Sequence, residues 1–336
     1  MFIAPMSDLS YNQMQQNSAS TLRLSLQAAG YEMSTGLSAN LVEALNGNVG
    51  EVYEIDLALK LLDQHSTSMT FGANRAATTQ TALGNALDAL GTVGIDLEGA
   101  VAIEDMVSAG LFAASTEQML ETVVGSFNTT YAGRYLFAGA AETTQPLDPA
   151  ADIIEDIVAL IDAAPDATTA LADIDFYFDD PTGGFQTTIY NGSAEDAAGI
   201  LTPDGNRIDY AVRADDGAVK DLLKGLATAA AFGHSTMPGM PGADAEILGA
   251  SAQSIRDAEQ DLIAVRTDLG FAEENIAVTQ TLITAEVGAL QLAKLELVGV
   301  DAFDASVRFA DIENQLNALY TVTARVSNLT FTNFLR

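Results

Sequence analysis

A seven-residue repeat of Leu and Ile constrains the fold of this 336-residue chain more than any other feature. A helix that keeps such a repeat supercoils left-handed against a partner, because seven residues fall slightly short of two helical turns. At 1.5 Å per residue the helix would reach about 75 Å. An ordinary amphipathic bundle helix, the alternative, rarely keeps one phase past about 25 residues. We therefore expect an elongated coiled-coil core. The repeat positions are Leu248, Ile255, Leu262, Leu269, Ile276, Ile283, Leu290 and Leu297.

A second long helix is predicted over roughly 49–92. Its apolar positions recur every three or four residues, and its length suits it as an antiparallel partner for the 248–297 helix. Two shorter helices are expected next, near 100–113 and 116–131, the latter opened by a capping box of Ser115 and Gln118. The core of the second long helix begins with Val52, Ile55, Leu59 and Leu62.

Proline marks the domain boundaries. Apart from Pro5, every proline lies between Pro146 and Pro241. The flanking arms have helical patterns, whereas the middle mixes a helix near 152–164 and one near 217–231 with strands expected at 185–190 and 208–213. Carboxylate-rich stretches such as 173–180 are interpreted as solvated loops. The chain is therefore predicted to be mainly α, a discontinuous helical rod formed by both arms with an inserted α+β domain.

The two ends carry thin apolar stripes. An isolated helix over 10–37 with so thin a stripe would be marginal in water, so it needs a partner. An apolar C-terminus suggests burial against other molecules, although packing on 10–37 within one monomer is the alternative. The N-terminal stripe includes Met14, Leu22, Leu26 and Met33, and the C-terminal stripe Phe309, Ile312, Leu316, Leu319, Val326, Leu329, Phe331, Phe334 and Leu335.

Composition argues against most enzymatic and binding classes. The chain has no Cys, two His and a formal net charge of -32. It lacks the Gly-Lys-Ser/Thr, Gly-x-Ser-x-Gly and His-Glu-x-x-His motifs, so we expect no catalytic, cofactor or metal site. Strong acidity disfavours nucleic acid and anionic membranes. The first Lys or Arg is Arg23, which leaves no basic region for a cleaved signal, and no membrane span is expected.

Four stretches resemble the flagellin superfamily, and within it the hook–filament junction proteins, also called the third hook-associated proteins. The most specific is 131–139, which resembles the junction family's Gly-Arg-Tyr-Leu-Phe-x-Gly motif. Here it supplies Gly133, Arg134, Tyr135, Leu136, Phe137 and Gly139. The others are 32–36, similar to Leu-Ser-Thr-Gly, 206–214, similar to the end of the family's inserted domain, and 326–335. The loop 37–48 departs from the family, since it lacks the usual basic residue, Asp pair and Pro.

The resemblance implies a structural, non-enzymatic role as an adaptor that joins the hook-associated ring to the flagellin filament. It implies export through the flagellar secretion apparatus with a chaperone, an extracellular location, and contacts with further copies in a ring, a neighbouring hook-associated protein and flagellin. A filament flagellin, or a cytoplasmic coiled-coil binding module, is the alternative. By resemblance, 1–40 with 301–336 forms a terminal assembly domain that is disordered before assembly. The rod is 41–145 with 243–300, and the outward-facing insert is 146–242.

Overall fold

Long α-helices make up most of the described chain in the computed structural model, which describes residues 8–237 and 242–334. The mainly α fold class is confirmed. The helices are α1 (Asp8–Thr35), α2 (Leu41–Ala44), α3 (Gly50–Leu90), α4 (Val93–Ala102), α5 (Met106–Phe127), α6 (Ala150–Ala163), α7 (Ala167–Asp179), α8 (Gly217–His234), α9 (Ala243–Val298) and α10 (Ala302–Phe334). The short strands are β1 (Thr130–Tyr131), β2 (Arg134–Tyr135), β3 (Ile200–Leu201) and β4 (Arg207–Ile208).

The break between the two shorter helices lies earlier than the sequence indicates. It falls at 103–105, where Asp105 caps α5 by accepting a hydrogen bond from the backbone N–H of Ser108 at 3.2 Å. Ser115 is inside α5, and its hydroxyl donates to the carbonyl oxygen of Phe112. The capping-box prediction at Ser115 was therefore wrong, because a Ser that bonds back within its own helix resembles a cap in sequence.

The chain divides into two compact units. Unit 1 comprises the described residues up to Asp63 and from Thr284 onward. Here the start of α3 lies beside the end of α9, where Asp56 forms an ion pair with Lys294. Val52, Ile55 and Leu62 of α3 are buried, whereas Leu59, Leu290 and Leu297 are half-buried.

Unit 2 comprises residues 64–283. Within it α3 and α9 run antiparallel, as predicted: Gln80 Nε2 donates to the carbonyl oxygen of Arg266 at 2.9 Å, and Gln280 Nε2 donates to Thr70 Oγ1 at 2.9 Å. The heptad positions of α9 in this unit are all buried. They are Leu248, Ile255, Leu262, Leu269, Ile276 and Ile283.

The Pro-containing middle of the chain is more helical than predicted. Residues Phe185–Ile189 form a π-helical turn rather than a strand, because the hydroxyls of Thr187 and Thr188 bond back to the carbonyl oxygens of Gly183 and Gly184. The acidic stretch predicted as a loop belongs to α7, which Asp166 caps through the backbone N–H of Thr169. The strand expected at 208–213 is only the short β4, paired antiparallel with β3.

One segment of α9 is long and apolar enough to span a membrane by length and composition. Core helices of soluble proteins also pass this test, but they are mostly buried, whereas only 11% of this segment is buried. One such helix does not by itself establish a membrane span. Among the residues that the structure describes, no group of three or more His, Asp or Glu is placed to hold a metal ion.

Candidate assembly interface

Helices α1 and α10, near the two ends of the described chain, form an antiparallel pair in unit 1. The Nε of Arg23 donates to the hydroxyl of Tyr320 at 2.8 Å, and the guanidinium lies 5.7 Å from the tyrosine ring centroid. Toward the other end of the pair, Glu32 and Arg308 form an ion pair at 3.0 Å. The two thin stripes are therefore partnered with each other inside one chain.

The predicted interface residues divide into two groups. Those facing the partner helix are half-buried or buried, and Leu316 is the most enclosed at 9% exposure. Met14 and Met33 lie outside this inner group and are 52% and 44% exposed. Val326, Leu329, Phe331 and Phe334 lie where only the backbone of α10 is described, and Leu335 lies outside the described residues. The half-buried members are Leu22, Leu26, Phe309, Ile312 and Leu319.

A second apolar face of the α1–α10 pair is exposed, and the sequence reasoning missed it. Phe303 is the most exposed of its members at 73%, and Leu24 follows at 66%. Seven-residue spacing from Leu24 to Tyr31, and four-residue spacing from Phe303 to Val307, place each pair on one helical face. This spacing is the sequence signal from which the exposed face could have been predicted. We call these four residues, two on each helix, the outer face: Leu24, Tyr31, Phe303 and Val307.

A groove of about 460 Å³ continues the outer face within unit 1. Leu24 and Tyr31 of α1 line this groove together with Leu41 and Val298. The Asp56–Lys294 ion pair lies at this groove. An apolar groove bordered by one ion pair has the composition of a protein contact, in which a buried apolar centre is surrounded by polar groups.

The connection from α1 to α2 is held by Glu32, which is 8% exposed. One carboxylate oxygen accepts a hydrogen bond from the backbone N–H of Ala39 at 3.1 Å, and the other lies 3.0 Å from Arg308 Nη2. Gly36 ends α1 with φ +70°, a left-handed conformation that favours glycine. The contact from Glu32 to Ala39 holds the atypical loop 37–48, and Asn40 within the loop caps α2.

The motif at 131–139 is a β-hairpin in unit 2. Residues Ala132 and Gly133 have φ of 51° and 77° between the paired strands β1 and β2, as a tight hairpin turn requires. Arg134 is exposed and bonds Glu142, and Tyr135 is half-buried. The next residues enter the core.

Leu136 and Phe137 anchor that hairpin. Both are buried, and the Phe137 ring meets the Phe127 ring edge-on at 5.0 Å between centroids. Gly139 has φ +57°, and a Cβ there would lie 2.4 Å from the carbonyl oxygen of Glu195. The motif's apolar residues thus serve packing, and its glycines serve backbone geometry.

Comparison with known proteins shows that the C-terminal arm is similar to a region of flagellins. Residues 252–335 match the family model described as the bacterial flagellin C-terminal helical region. The crystal structure of Bacillus cereus FlgL shares the fold, with a TM-score of 0.50 and 17% identity. The alignment covers 72% of this chain and 99% of that chain. No curated protein sequence matches significantly.

Proposed function

We propose that this chain is a structural component of the bacterial flagellum that joins the hook-associated ring to the flagellin filament. One observation carries the proposal: α10 lies in the region that matches the flagellin C-terminal helical region, and it pairs with α1 to present an exposed apolar face. A face of this kind on a pair of surface helices is typical of a protein–protein contact. The role is structural and involves no catalysis.

The hairpin at 131–139 supports the junction role over that of a filament flagellin. Its sequence resembles the junction family, and two residues of the motif have a structural role: Phe137 packs on Phe127, and Gly139 leaves no room for a Cβ. The alternative, a filament flagellin, is favoured by the family model itself, which describes a flagellin region. Deletion of the gene distinguishes the junction role from that of a filament flagellin.

In this proposal the protein is exported through the flagellar secretion apparatus with a chaperone and works outside the cell. Its partners are further copies in a ring, a neighbouring hook-associated protein and flagellin. The terminal assembly domain (1–40 with 301–336), the rod (41–145 with 243–300) and the outward insert (146–242) remain the proposed functional division. Disorder of the terminal domain before assembly also remains a proposal.

The experiment is deletion of the gene, with secretion and filament growth as readouts. The junction role requires that hooks form while flagellin is shed into the medium as monomers, and that the wild-type gene restores filaments. Loss of filaments without shed flagellin would indicate a filament flagellin. Normal filaments in the deletion strain would refute the proposal.

Complementation with a variant connects the genetics to the outer face. Phe303→Asp places a charge on the most exposed member of that face, and a buried, unpaired charge costs several kcal/mol. We expect secreted, folded protein that fails to restore filaments. Gln315→Glu adds the same charge at an exposed position of α10 that lies about a third of a turn around the helix from Phe303, and it should restore them.

A further inference from the structure

Unit 2 contains an open cavity of about 1030 Å³ that the proposed function does not use. One wall is a single face of α3 that includes His65, Phe71 and Arg75. The opposite wall is the extended segment 196–201, and Arg207 and Tyr210 also line the cavity. Its volume is at the upper end of the range of ligand sites, about 300–1,000 Å³.

Close contacts between the two walls form this cavity in advance. A Cβ at Gly72 would lie 1.8 Å from Cδ1 of Ile200, so glycine lets the segment lie directly on α3. His65 Nδ1 lies 3.2 Å from the carbonyl oxygen of Leu201. The Arg75 guanidinium lies 6.0 Å from the Tyr210 ring centroid. A ligand would therefore meet walls that are already in place.

The cavity brings three arginines together in a chain whose formal net charge is -32. Arg75, Arg134 and Arg207 all line it. Arg75 and Arg134 share one carboxylate, that of Glu142, and Arg207 pairs with Asp209. The remaining acid of the lining, Asp196, is bonded to Arg213.

The arginines have unused hydrogen-bonding capacity. Each of the three bonds its carboxylate through one nitrogen, whereas a guanidinium can present two parallel donors. Arg75 is 6% exposed, and its Nη2 has no hydrogen-bond partner. The side chains of Arg134 and Arg207 are 58% and 55% exposed, so an incoming carboxylate can reach them.

Apolar surface lies beside these cations. Leu201 is 57% exposed and Phe71 is 39% exposed, and both line the cavity. A single small anion would leave most of this volume and all of this apolar surface without contact. An acidic peptide with apolar side chains would cover both.

We propose that this cavity binds an acidic, partly apolar peptide segment of a partner protein, with Arg134 and Arg207 as its first carboxylate contacts. The site is independent of the flagellar role, and its failure would leave that role untouched. Free carboxylates or phosphate could supply similar anionic groups, so the test separates them from the peptide.

The test is fluorescence anisotropy with the full chain and a labelled hexapeptide, Asp-Phe-Glu-Leu-Asp-Glu. Its neutral analogue, Asn-Phe-Gln-Leu-Asn-Gln, is the matched probe, and citrate and inorganic phosphate are the competitors. We expect the acidic peptide to bind, with the neutral analogue about tenfold weaker or more. The double variant Arg134→Gln/Arg207→Gln should lose about tenfold, because both exposed cations are removed while Arg75 keeps Glu142.

The control is Lys60→Gln/Arg325→Gln, which removes the same charge from two exposed cations in unit 1. Binding should be unchanged. An equal loss in this control would show a general charge effect and overturn the proposal. So would equal binding of the neutral peptide, or no binding at about 1 mM peptide. Citrate or phosphate binding as tightly as the peptide would make this a small-anion site instead.

Discussion

The backbone N–H of Val300 donates a hydrogen bond to the carbonyl oxygen of Gly36 at 2.8 Å. The N–H of Ser38 donates in return to the carbonyl oxygen of Val298, also at 2.8 Å. This short antiparallel bridge joins the end of α1 to the connection between α9 and α10. The pairing of α1 with α10 therefore has a backbone anchor in addition to its side-chain contacts.

Gly36→Ala should weaken this anchor. The position has φ +70° with no atom within 4 Å of an added Cβ, so the cost is conformational alone, about 1 kcal/mol of unfolding free energy. Gly50→Ala is the matched control, because Gly50 has equal space and no positive φ. Urea unfolding of both variants measures the difference. Equal stability of the two would contradict the left-handed assignment.

Charges on the inner and outer faces of α10 should have different effects. Leu316→Asp buries a carboxylate between α1 and α10 and should cost several kcal/mol, so the pair separates while the helices of unit 2 remain. Phe303→Asp should leave the monomer's circular dichroism unchanged and abolish assembly only. If Leu316→Asp leaves the melting of the free monomer unaltered, these helices pair only on assembly, as the proposed disorder of the terminal domain requires.

Glu142 gives a pH-dependent prediction. Burial raises its pKa, but the hydrogen bonds and positive charges of Arg75 and Arg134 together outweigh burial, so the pKa of Glu142 lies below its ordinary value. Its ionised form therefore stabilises the fold above the unfolded-chain pKa of about 4.3. That contribution is lost as the pH falls through the lowered folded-state pKa.

Glu142→Gln should thus cost about 2 kcal/mol at neutral pH, because Arg75 loses its charged partner in a largely enclosed position. The difference from wild type should shrink as the pH falls below about 4. Denaturant unfolding at neutral pH and at a pH below about 4 measures this difference in the free energy of unfolding. Glu98→Gln, whose carboxylate is more exposed and pairs with Arg256, should cost only about 0.5 kcal/mol. A pH-independent cost at Glu142 would refute the electrostatic account.

The two glycines of the hairpin motif should respond unequally to substitution. Gly133→Ala meets no atom within 4 Å and should cost about 1 kcal/mol for its positive φ. Gly139→Ala also drives a methyl group against the carbonyl oxygens of Ser193 and Glu195, so about 3 kcal/mol is expected. Thermal unfolding of the Gly133→Ala and Gly139→Ala variants is the measurement. Equal losses would show that the contact at Gly139 relaxes without cost.

The sequence predicted the long helices well, because a repeat in constant phase marks one buried face from Leu248 to Ile283. It failed where local hydrogen bonds decide the structure. Thr187 and Thr188 lie in the segment predicted as a strand, yet their hydroxyls bond back to the carbonyl oxygens of Gly183 and Gly184 in a π-helical turn. The inner stripe was identified, but Leu24 and Phe303 were not, because two apolar residues per helix form a pattern too short to stand out beside the longer inner stripe.

The distance along the chain between α1 and α10 has a consequence for newly made protein. Arg23 and Tyr320 are 297 residues apart. The chain therefore cannot pair α1 with α10 until α10 has emerged from the ribosome. At synthesis rates of about 5–20 residues per second, that delay lasts roughly 15–60 s. Throughout this interval the apolar stripe of α1 has no partner from its own chain. A protein that binds the stripe during this interval therefore binds before α10 is available to compete for it.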